Sequence, residues 1–262
     1  MFLVGINDKL YDMKTEEVEK NVFHFWKNVG ETSFQALGRF KEEIPEHKDS
    51  KLCFAGRLDP MACGWLIILA NNMVFKKDQY IIKDKVYEAT ILVGVSTDTD
   101  DVFGLIEKVN LNTDGLYKKI RNVIPRYIGK QEQQFSHFSS KHVQGKALFQ
   151  WATEKRLDEI KIPTHQIEIY DIKVSEIPSI CQKNTWFKEK KRRVELIKGD
   201  FRTEEIVNGW KNILKDLPNN LLHLEFTISA GTGTYVKQLI HDIGEEIDVP
   251  MSVFEIRRIS IG

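Results

Sequence analysis

The sequence predicts an α+β or mixed α/β fold, because its predicted strands and helices alternate irregularly along the chain. Apolar and polar residues alternate over residues 86–95, as in a strand that buries one side, here the odd-numbered residues from Tyr87 to Val93. The apolar spacing over residues 235–247 indicates an amphipathic helix. A doubly wound parallel sheet would instead require a regular strand–helix repeat.

The other elements follow from local signals. Thr32 and Ser33 provide an N-cap for a helix that continues to about Glu43. Residues 65–70 are apolar throughout and fit either a buried strand or a short helix. Further strands are predicted at 22–25, 167–174 and 222–229, and further helices at 111–124 and 147–156.

The composition is that of one globular domain covering residues 1–262. Hydrophobic residues make up 42% and charged residues 29% of the 262 residues, which is enough to build a core. Lysine plus arginine and aspartate plus glutamate number 38 each, so the formal net charge is zero. A basic excess is common in nucleic-acid-binding proteins, but local patches matter more than the sum.

Cysteine usage and hydropathy favour a cytoplasmic or nuclear protein with no membrane association. Cys53, Cys63 and Cys181 form no Cys-x-x-Cys pair, which favours reduced thiols. No apolar run reaches the roughly 18 residues of a membrane span. The apolar start over residues 1–6 is too short for the core of a signal peptide.

The segment Gly-Arg-Leu-Asp-Pro-Met-Ala-Cys-Gly, residues 56–64, places a single acid, Asp59, on a short turn. Glycine permits positive φ and proline fixes φ, so this turn is stiff. The residues alone leave two interpretations open. Asp59 could cap backbone amides in a structural turn, or it could be a catalytic carboxylate beside the apolar segment that follows.

Five segments in order resemble the TruB-type pseudouridine synthases, the tRNA pseudouridine-55 synthase family. They are KNVGETS at 27–33, the turn at 56–64, KVYEA at 85–89 with GVSTDTDD at 94–101, FSSKHVQGK at 138–146, and SAGTGTYVK at 229–237. The resemblance extends from about residue 22 to residue 262. It implies a mixed, mainly antiparallel sheet flanked by helices, with an active cleft across its middle.

The resemblance also implies the reaction: uridine in RNA is isomerised to its C-glycoside without a metal or cofactor. The implied target is the T-arm uridine of tRNA, and the chain would act as a monomer. Two alternatives stay open: a pseudouridine synthase for another RNA, or a catalytically inactive RNA-binding or tRNA-folding module. Asp59 would be the nucleophile or would stabilise charge at the sugar.

The resemblance assigns partners to this acid. Lys237 stands where the family has an arginine that pairs with the catalytic aspartate, and Arg57 could partly compensate for the lost guanidinium fork. Tyr87 would stack on the flipped base, and Tyr235 and Ile256 would line the pocket that holds this base. From the residues alone, these three side chains are equally typical of core packing.

Basic residues along the chain are candidate phosphate contacts, although each alone is also typical of a solvated surface. They are Lys27, Lys141, His142, Lys146 and the run at 188–193. The alternative for that run is a solvated loop or the end of a strand. A segment at about 131–156 is expected to grip the RNA stem, and the acids at 97–101 are expected to form a hydrogen-bonded turn rather than a metal site.

Several residues depart from the family pattern. Phe54 replaces a histidine five residues before Asp59, Phe135-Ser136 replaces a Pro-Pro pair, and Asn28 replaces a proline. The chain stops four residues after Arg258. We therefore expect no C-terminal PUA domain, which argues against the guide-RNA-dependent branch.

Overall fold

The computed structural model describes residues 14–197 and 202–262; the apolar start at 1–6 lies outside them. Its strands are β1 Glu16–Glu19, β2 Val22–Lys27, β3 Leu52–Ala55, β4 Cys63–Ala70, β5 Lys85–Val93, β6 Val95–Thr97, β7 Ile106–Val109, β8 Gly129–Gln134, β9 His142–Val143, β10 Lys146–Ala147, β11 Thr164–Val174, β12 Ser179–Gln182, β13 Asn220–Ala230 and β14 Met251–Ile261.

Seven α-helices lie within these described ranges. They are α1 Ser33–Glu43, α2 Lys77–Ile81, α3 Leu116–Val123, α4 Leu148–Thr153, α5 Lys183–Glu195, α6 Thr203–Ile213 and α7 Val236–Ile247. Within residues 14–197 and 202–262, none of the helices has the length and apolar character needed to cross a membrane.

A ten-stranded mixed sheet forms the centre of the fold. Its main path runs β1-β2-β4-β14-β5-β13-β11-β8, while β3 pairs with β4 and β12 pairs with β13. The β14–β4 pair is parallel, and the other pairs in this sheet are antiparallel. The predicted mixed, mainly antiparallel sheet is therefore confirmed.

Helices cover the sheet through separate apolar clusters. Helices α3 and α7 pack on the side of β5 that carries Tyr87, Ala89, Ile91 and Val93, as the alternation predicted. Helices α5 and α6 belong to a second cluster around Trp186 and Trp210, and α1 packs on β2, β3 and β4 in a third.

Three predicted elements have different bounds. Gly94, at φ +95°, separates β5 from β6 and so interrupts the strand predicted over 86–95. The helix predicted from 111 begins only at Leu116, because Asn110 and Asn112 accept hydrogen bonds from backbone amides two residues ahead. The helix predicted over 147–156 ends at Thr153, shortly before Lys155 at φ +56°.

The interpretation of the basic run 188–193 as a solvated loop or strand end was wrong, because this segment lies inside helix α5. Helical spacing separates its charges by direction. Lys188, Lys191 and Arg192 are exposed, whereas Lys190 and Arg193 are buried. The run is therefore not one continuous basic surface.

Candidate active site

The turn between β3 and β4 presents Asp59 at the surface while its neighbours are anchored. Leu58, Met61 and Ala62 are buried in the main core, but 47% of the Asp59 side chain is exposed. At the end of the turn, Gly64 has φ +125°, and a Cβ there would lie 2.3 Å from the Arg258 carbonyl oxygen. Only glycine permits this approach of β4 to β14.

Residues of the KNVGETS segment fix the same turn through hydrogen bonds to its backbone. Gly30 N–H donates to the Pro60 carbonyl at 2.8 Å. Ser33 Oγ accepts from Leu58 N–H at 3.1 Å. Each bond fixes backbone on one side of Asp59, so the segment positions the carboxylate.

Lys27 belongs to this support and does not fit the phosphate contact predicted for it. Its side chain is fully buried, and its Nζ donates to the Ala62 carbonyl at 2.6 Å and the Asn28 carbonyl at 2.9 Å. Burial, opposed by the charges of Cys63, Glu31 and Asp59, lowers the pKa of Lys27 to about 8. Its ammonium therefore supports the turn rather than reaching the surface.

Lys237 joins two carboxylates at the centre of the site. Its Nζ lies 2.9 Å from Asp59 Oδ2 and 3.0 Å from Asp101 Oδ2. Lys237 stands in the first turn of α7, and Asp101 lies in the turn after β6. The predicted pairing of Lys237 with Asp59 is present in the structure, whereas the participation of Asp101 was missed.

Burial and the neighbouring charges together set the protonation states of the triad formed by Asp59, Lys237 and Asp101. Burial raises the pKa of Asp59, but the ammonium of Lys237 outweighs it and lowers this pKa below its usual value. Burial lowers the pKa of Lys237, yet the two carboxylates together raise it. Burial dominates at Asp101 and raises its pKa in spite of Lys237. Asp59 is thus kept as an exposed carboxylate next to a charged lysine.

Asp101 is fixed by its own turn. Its Oδ1 accepts from Phe103 N–H at 2.8 Å and from Thr99 Oγ1 at 3.0 Å, which leaves Oδ2 to Lys237. Thr97 Oγ1 also donates to the Asp101 carbonyl at 2.5 Å. The segment is therefore a hydrogen-bonded turn, as its acids and threonines predicted.

The three predicted pocket residues are buried or half-buried. Tyr87 and Ile256 are 8% and 6% exposed and pack in the same core as Leu58. Tyr235 directly precedes α7; burial, and next the charge of Asp59, raise the pKa of its phenol. The structure therefore places Tyr87 and Ile256 in the core cluster that contains Leu58, and Tyr235 within range of the charge of Asp59.

Tyr235 also belongs to an aromatic cluster that sequence reasoning missed. Phe135 stacks on His165 with ring centroids 4.2 Å apart, and each meets Tyr235 edge-on at 5.7 Å. Lys141 Nζ lies 5.0 Å from the centroid of the Phe135 ring. Phe135 replaces a proline of the family pattern, which was the available sequence signal for an aromatic side chain at this position.

The remaining basic candidates lie at the surface. Arg57 Nη1 donates to Ser140 Oγ at 3.0 Å, so Arg57 affects Asp59 only as a distant charge that helps to lower its pKa. Lys141 and His142 are exposed, and Lys146 pairs with Glu154. These positions are open to a large ligand, unlike that of Lys27.

Metal-binding geometry is missing from the described part of the chain, where no group of three or more His, Cys, Asp or Glu side chains could hold a metal ion. The three cysteines have free thiols.

Solved structures with a similar fold were found by structural comparison. The chain matches the crystal structure of a Cbf5–Nop10–Gar1 complex with a TM-score of 0.53 and 18% identity, covering 94% of this chain and 51% of the matched one. It also matches the structure of an H/ACA RNP bound to a substrate RNA containing 2′-deoxyuridine, with a TM-score of 0.50, 17% identity, and coverage of 92% and 47%. The chain therefore shares the fold of the chains that it matches in these two structures.

Sequence comparison identifies the family to which the chain belongs. The model of the N-terminal domain of TruB family pseudouridylate synthases matches residues 43–199, so the chain belongs to this family. Proteins named tRNA pseudouridine synthase B are similar: 26% identity to the one from Clostridium novyi over 92% of this chain, and 28% to the one from Treponema denticola over 94%. The chain spans 67% and 61% of those two proteins and 59% of one from Nostoc sp..

Proposed function

We propose that this protein is an RNA pseudouridine synthase in which Asp59 is the catalytic residue. The observation that carries the proposal is the placement of a half-exposed carboxylate on a rigid turn, 2.9 Å from Lys237 Nζ. Membership of the TruB family supports it. The Asp59 side chain is 47% exposed and its Oδ2 meets the buried ammonium of Lys237, so the carboxylate is both accessible and paired with a cation.

The reaction requires the N1 glycosidic bond of uridine to break, the base to turn, and C5 to bond to the sugar. The C5 proton is lost and N1 gains one, so the change is an isomerisation. An ionised carboxylate can attack the sugar or base, stabilise positive charge at the sugar, or remove a sugar proton. The lowered pKa of Asp59 suits each of these roles, because each begins from the carboxylate.

The substrate class that we propose is folded RNA, with the T-arm uridine of tRNA as the target. The base would be flipped out of its stack into the pocket formed with Tyr87, Tyr235 and Ile256. Two exposed side chains on the 131–156 segment, Lys141 and His142, would contact backbone phosphates as the stem is gripped. We propose that the protein acts as a monomer, without metal or cofactor.

The test is tritium release from [5-³H]uridine in a T-stem-loop RNA. Asp59→Asn should fold and bind this RNA, yet its rate should fall by about 10⁴-fold or more, as is typical for loss of a catalytic carboxylate. Asp49→Asn, an exposed acid on the loop before β3, is the matched control and should react normally. Turnover by Asp59→Asn at the wild-type rate would contradict the assignment of Asp59.

The same assay separates the alternatives. Release from bulk cellular RNA without release from the T-stem-loop would contradict the tRNA target and support another RNA. Retained RNA binding with no release from any RNA would overturn the enzyme and favour the binding module. A salt titration of binding reports how many phosphates the neutral chain contacts.

A further inference from the structure

Gln133, near the end of β8, is a buried glutamine whose side-chain amide bonds to both polar backbone groups of Tyr235. Its Oε1 accepts from Tyr235 N–H at 2.8 Å, and its Nε2 donates to the Tyr235 carbonyl at 3.0 Å. Gln133 is 3% exposed. A backbone N–H can only donate and a carbonyl can only accept, so the two bonds together fix the orientation of the amide. The amide therefore holds Tyr235 in one position and one orientation.

Tyr235 is the residue at which α7 begins, and its own side chain makes no capping bond to the helix. The first N–H groups of a helix have no partner inside it, so the start of a helix is fixed by what surrounds it. The Tyr235 carbonyl also accepts from Leu239 N–H at 3.0 Å, which begins the hydrogen bonds of α7. Gln133 thus bonds to the same carbonyl from which the helix grows.

The first turn of α7 carries the cation of the site. Lys237 follows Tyr235 by two residues, and its Nζ lies 2.9 Å from Asp59 Oδ2. The ring of Tyr235 belongs to the predicted pocket. A displacement of the Tyr235 backbone would therefore move a pocket side chain and the start of the helix that presents the ammonium.

The neighbouring strand supports the same loop. In the pairing of β8 with β11, His165 lies opposite Gln133. His165 Nε2 donates to the Gly233 carbonyl at 2.9 Å. Two adjacent strands thus bind the backbone that leads into α7, one at Gly233 and the other at Tyr235. Gln133 is the member that reaches the residue next to the helix.

We propose that Gln133 is a positioning residue: its amide fixes the backbone of Tyr235 and so sets where the Tyr235 ring and the Lys237 ammonium lie relative to Asp59. This inference rests on the proposed function for its effect on turnover. Gln133 is buried, so it acts through Tyr235 and α7 rather than by contact with RNA. Its loss should lower the rate of the reaction and leave the affinity for RNA in place.

The first test measures the hydrogen bond itself and requires no activity. Gln133→Met keeps nearly the same length and has no amide. In this variant the Tyr235 amide proton should exchange with solvent about tenfold faster by NMR, which corresponds to the loss of about one hydrogen bond. The Ile243 amide, within α7, should exchange as in wild type. Unchanged exchange at Tyr235 would overturn the proposal, and so would equal acceleration at Ile243, which is the sign of a general loss of stability.

The second test is single-turnover tritium release at saturating T-stem-loop RNA. Gln133→Met should react about tenfold more slowly, with an RNA Kd within about twofold of wild type. Gln166→Met, which removes an exposed amide on β11 that bonds to Glu132 at 3.3 Å, is the matched control and should keep the wild-type rate. A glutamine that only stabilises the fold would leave the rate of the folded variant unchanged. An unchanged rate, or a loss confined to RNA affinity, would therefore overturn the proposal.

The two tests separate this inference from the proposed function. A wild type that is inactive on every RNA would refute the proposed function, while amide exchange would still decide whether Gln133 fixes Tyr235. If Gln133→Met does not fold, Gln133→Asn serves both measurements, because its amide is one methylene too short to bond to Tyr235 as Gln133 does.

Discussion

Removal of the shared ammonium by Lys237→Met should destabilise the protein, and by more at high pH than at low pH. Lys237 Nζ lies within 3.0 Å of both Asp59 and Asp101, and 4% of the Asp101 side chain is exposed. Methionine has nearly the length of lysine and no charge. The variant therefore keeps the packing of α7 but leaves the buried carboxylate of Asp101 without its ion-pair partner.

The magnitude follows from the burial of each partner. Removing one member of a buried ion pair costs about 3–5 kcal/mol, because the other charge stays buried and unpaired. This cost applies to Asp101. Asp59 is 47% exposed, so water replaces most of what it loses, and its share is about 0–1 kcal/mol.

The pH dependence follows from the sign of the Asp101 shift. Burial already raises the pKa of Asp101, and loss of Lys237 raises it further. A carboxyl with a raised pKa in the folded state is tolerated while it is protonated, and it destabilises the fold as pH rises through the unfolded value of about 3.9. The variant should therefore lie closer to wild type at pH 5 than at pH 8.

Urea unfolding followed by circular dichroism measures this directly. With an m-value of about 3 kcal/mol/M, the midpoint at pH 8 should fall by about 1–1.7 M urea, and by clearly less at pH 5. Adding Asp101→Asn should recover much of the loss by removing the unpaired charge. Lys108→Met, which breaks the exposed pair with Glu245, should leave the midpoint unchanged. Equal losses at pH 5 and pH 8 would refute the reasoning.

Two further predictions concern the framework of the site. Gly64→Ala should lower the free energy of unfolding by several kcal/mol or prevent folding, because the new Cβ would lie 2.3 Å from the Arg258 backbone. Gly38→Ala on α1 is the control: its Cβ meets open space, so thermal unfolding should show a gain of up to about 1 kcal/mol. His241→Gln should destabilise the protein at pH 6 and hardly at pH 8.5. The hydrogen bond that His241 Nδ1 donates to Asp100 raises the pKa of His241, and its contribution to stability disappears as pH rises through that pKa. An equal loss at both pH values in urea unfolding would contradict this prediction.

Much of the fold was predictable because its central elements carry clear local signals. The alternation around Tyr87 placed β5 and its buried side, and the N-cap at Thr32 placed the start of α1, where Gln35 completes a capping box. Helix α5 was missed because its sequence is rich in charge and two of its charged residues point inward. Burial of Lys190 and Arg193 depends on the neighbouring strands and helices, which a local pattern cannot reveal.

The site likewise contains residues whose roles the sequence predicted and residues whose roles depend on tertiary contacts. The family resemblance paired Lys237 with Asp59 across 178 positions, and the structure has the two in contact. Lys27 was misassigned because a lysine at the end of a strand is usually solvated, and only the path of the turn shows that its ammonium meets the Ala62 carbonyl. Asp101 was assigned to a turn correctly, but a side chain with two oxygens can serve the turn and a cation together.

The replacement of the family arginine by Lys237 is compensated in a way that the sequence did not suggest. Arginine would orient a carboxylate through two parallel N–H bonds, whereas an ammonium is a point charge that fixes no plane. Arg57, the predicted substitute, bonds instead to Ser140. Orientation comes from Asp101, whose position is set by Phe103 N–H and Thr99, and which anchors the lysine at 3.0 Å. A lysine held at a second point can present its charge to Asp59 as reproducibly as a guanidinium, provided that Asp101 remains ionised.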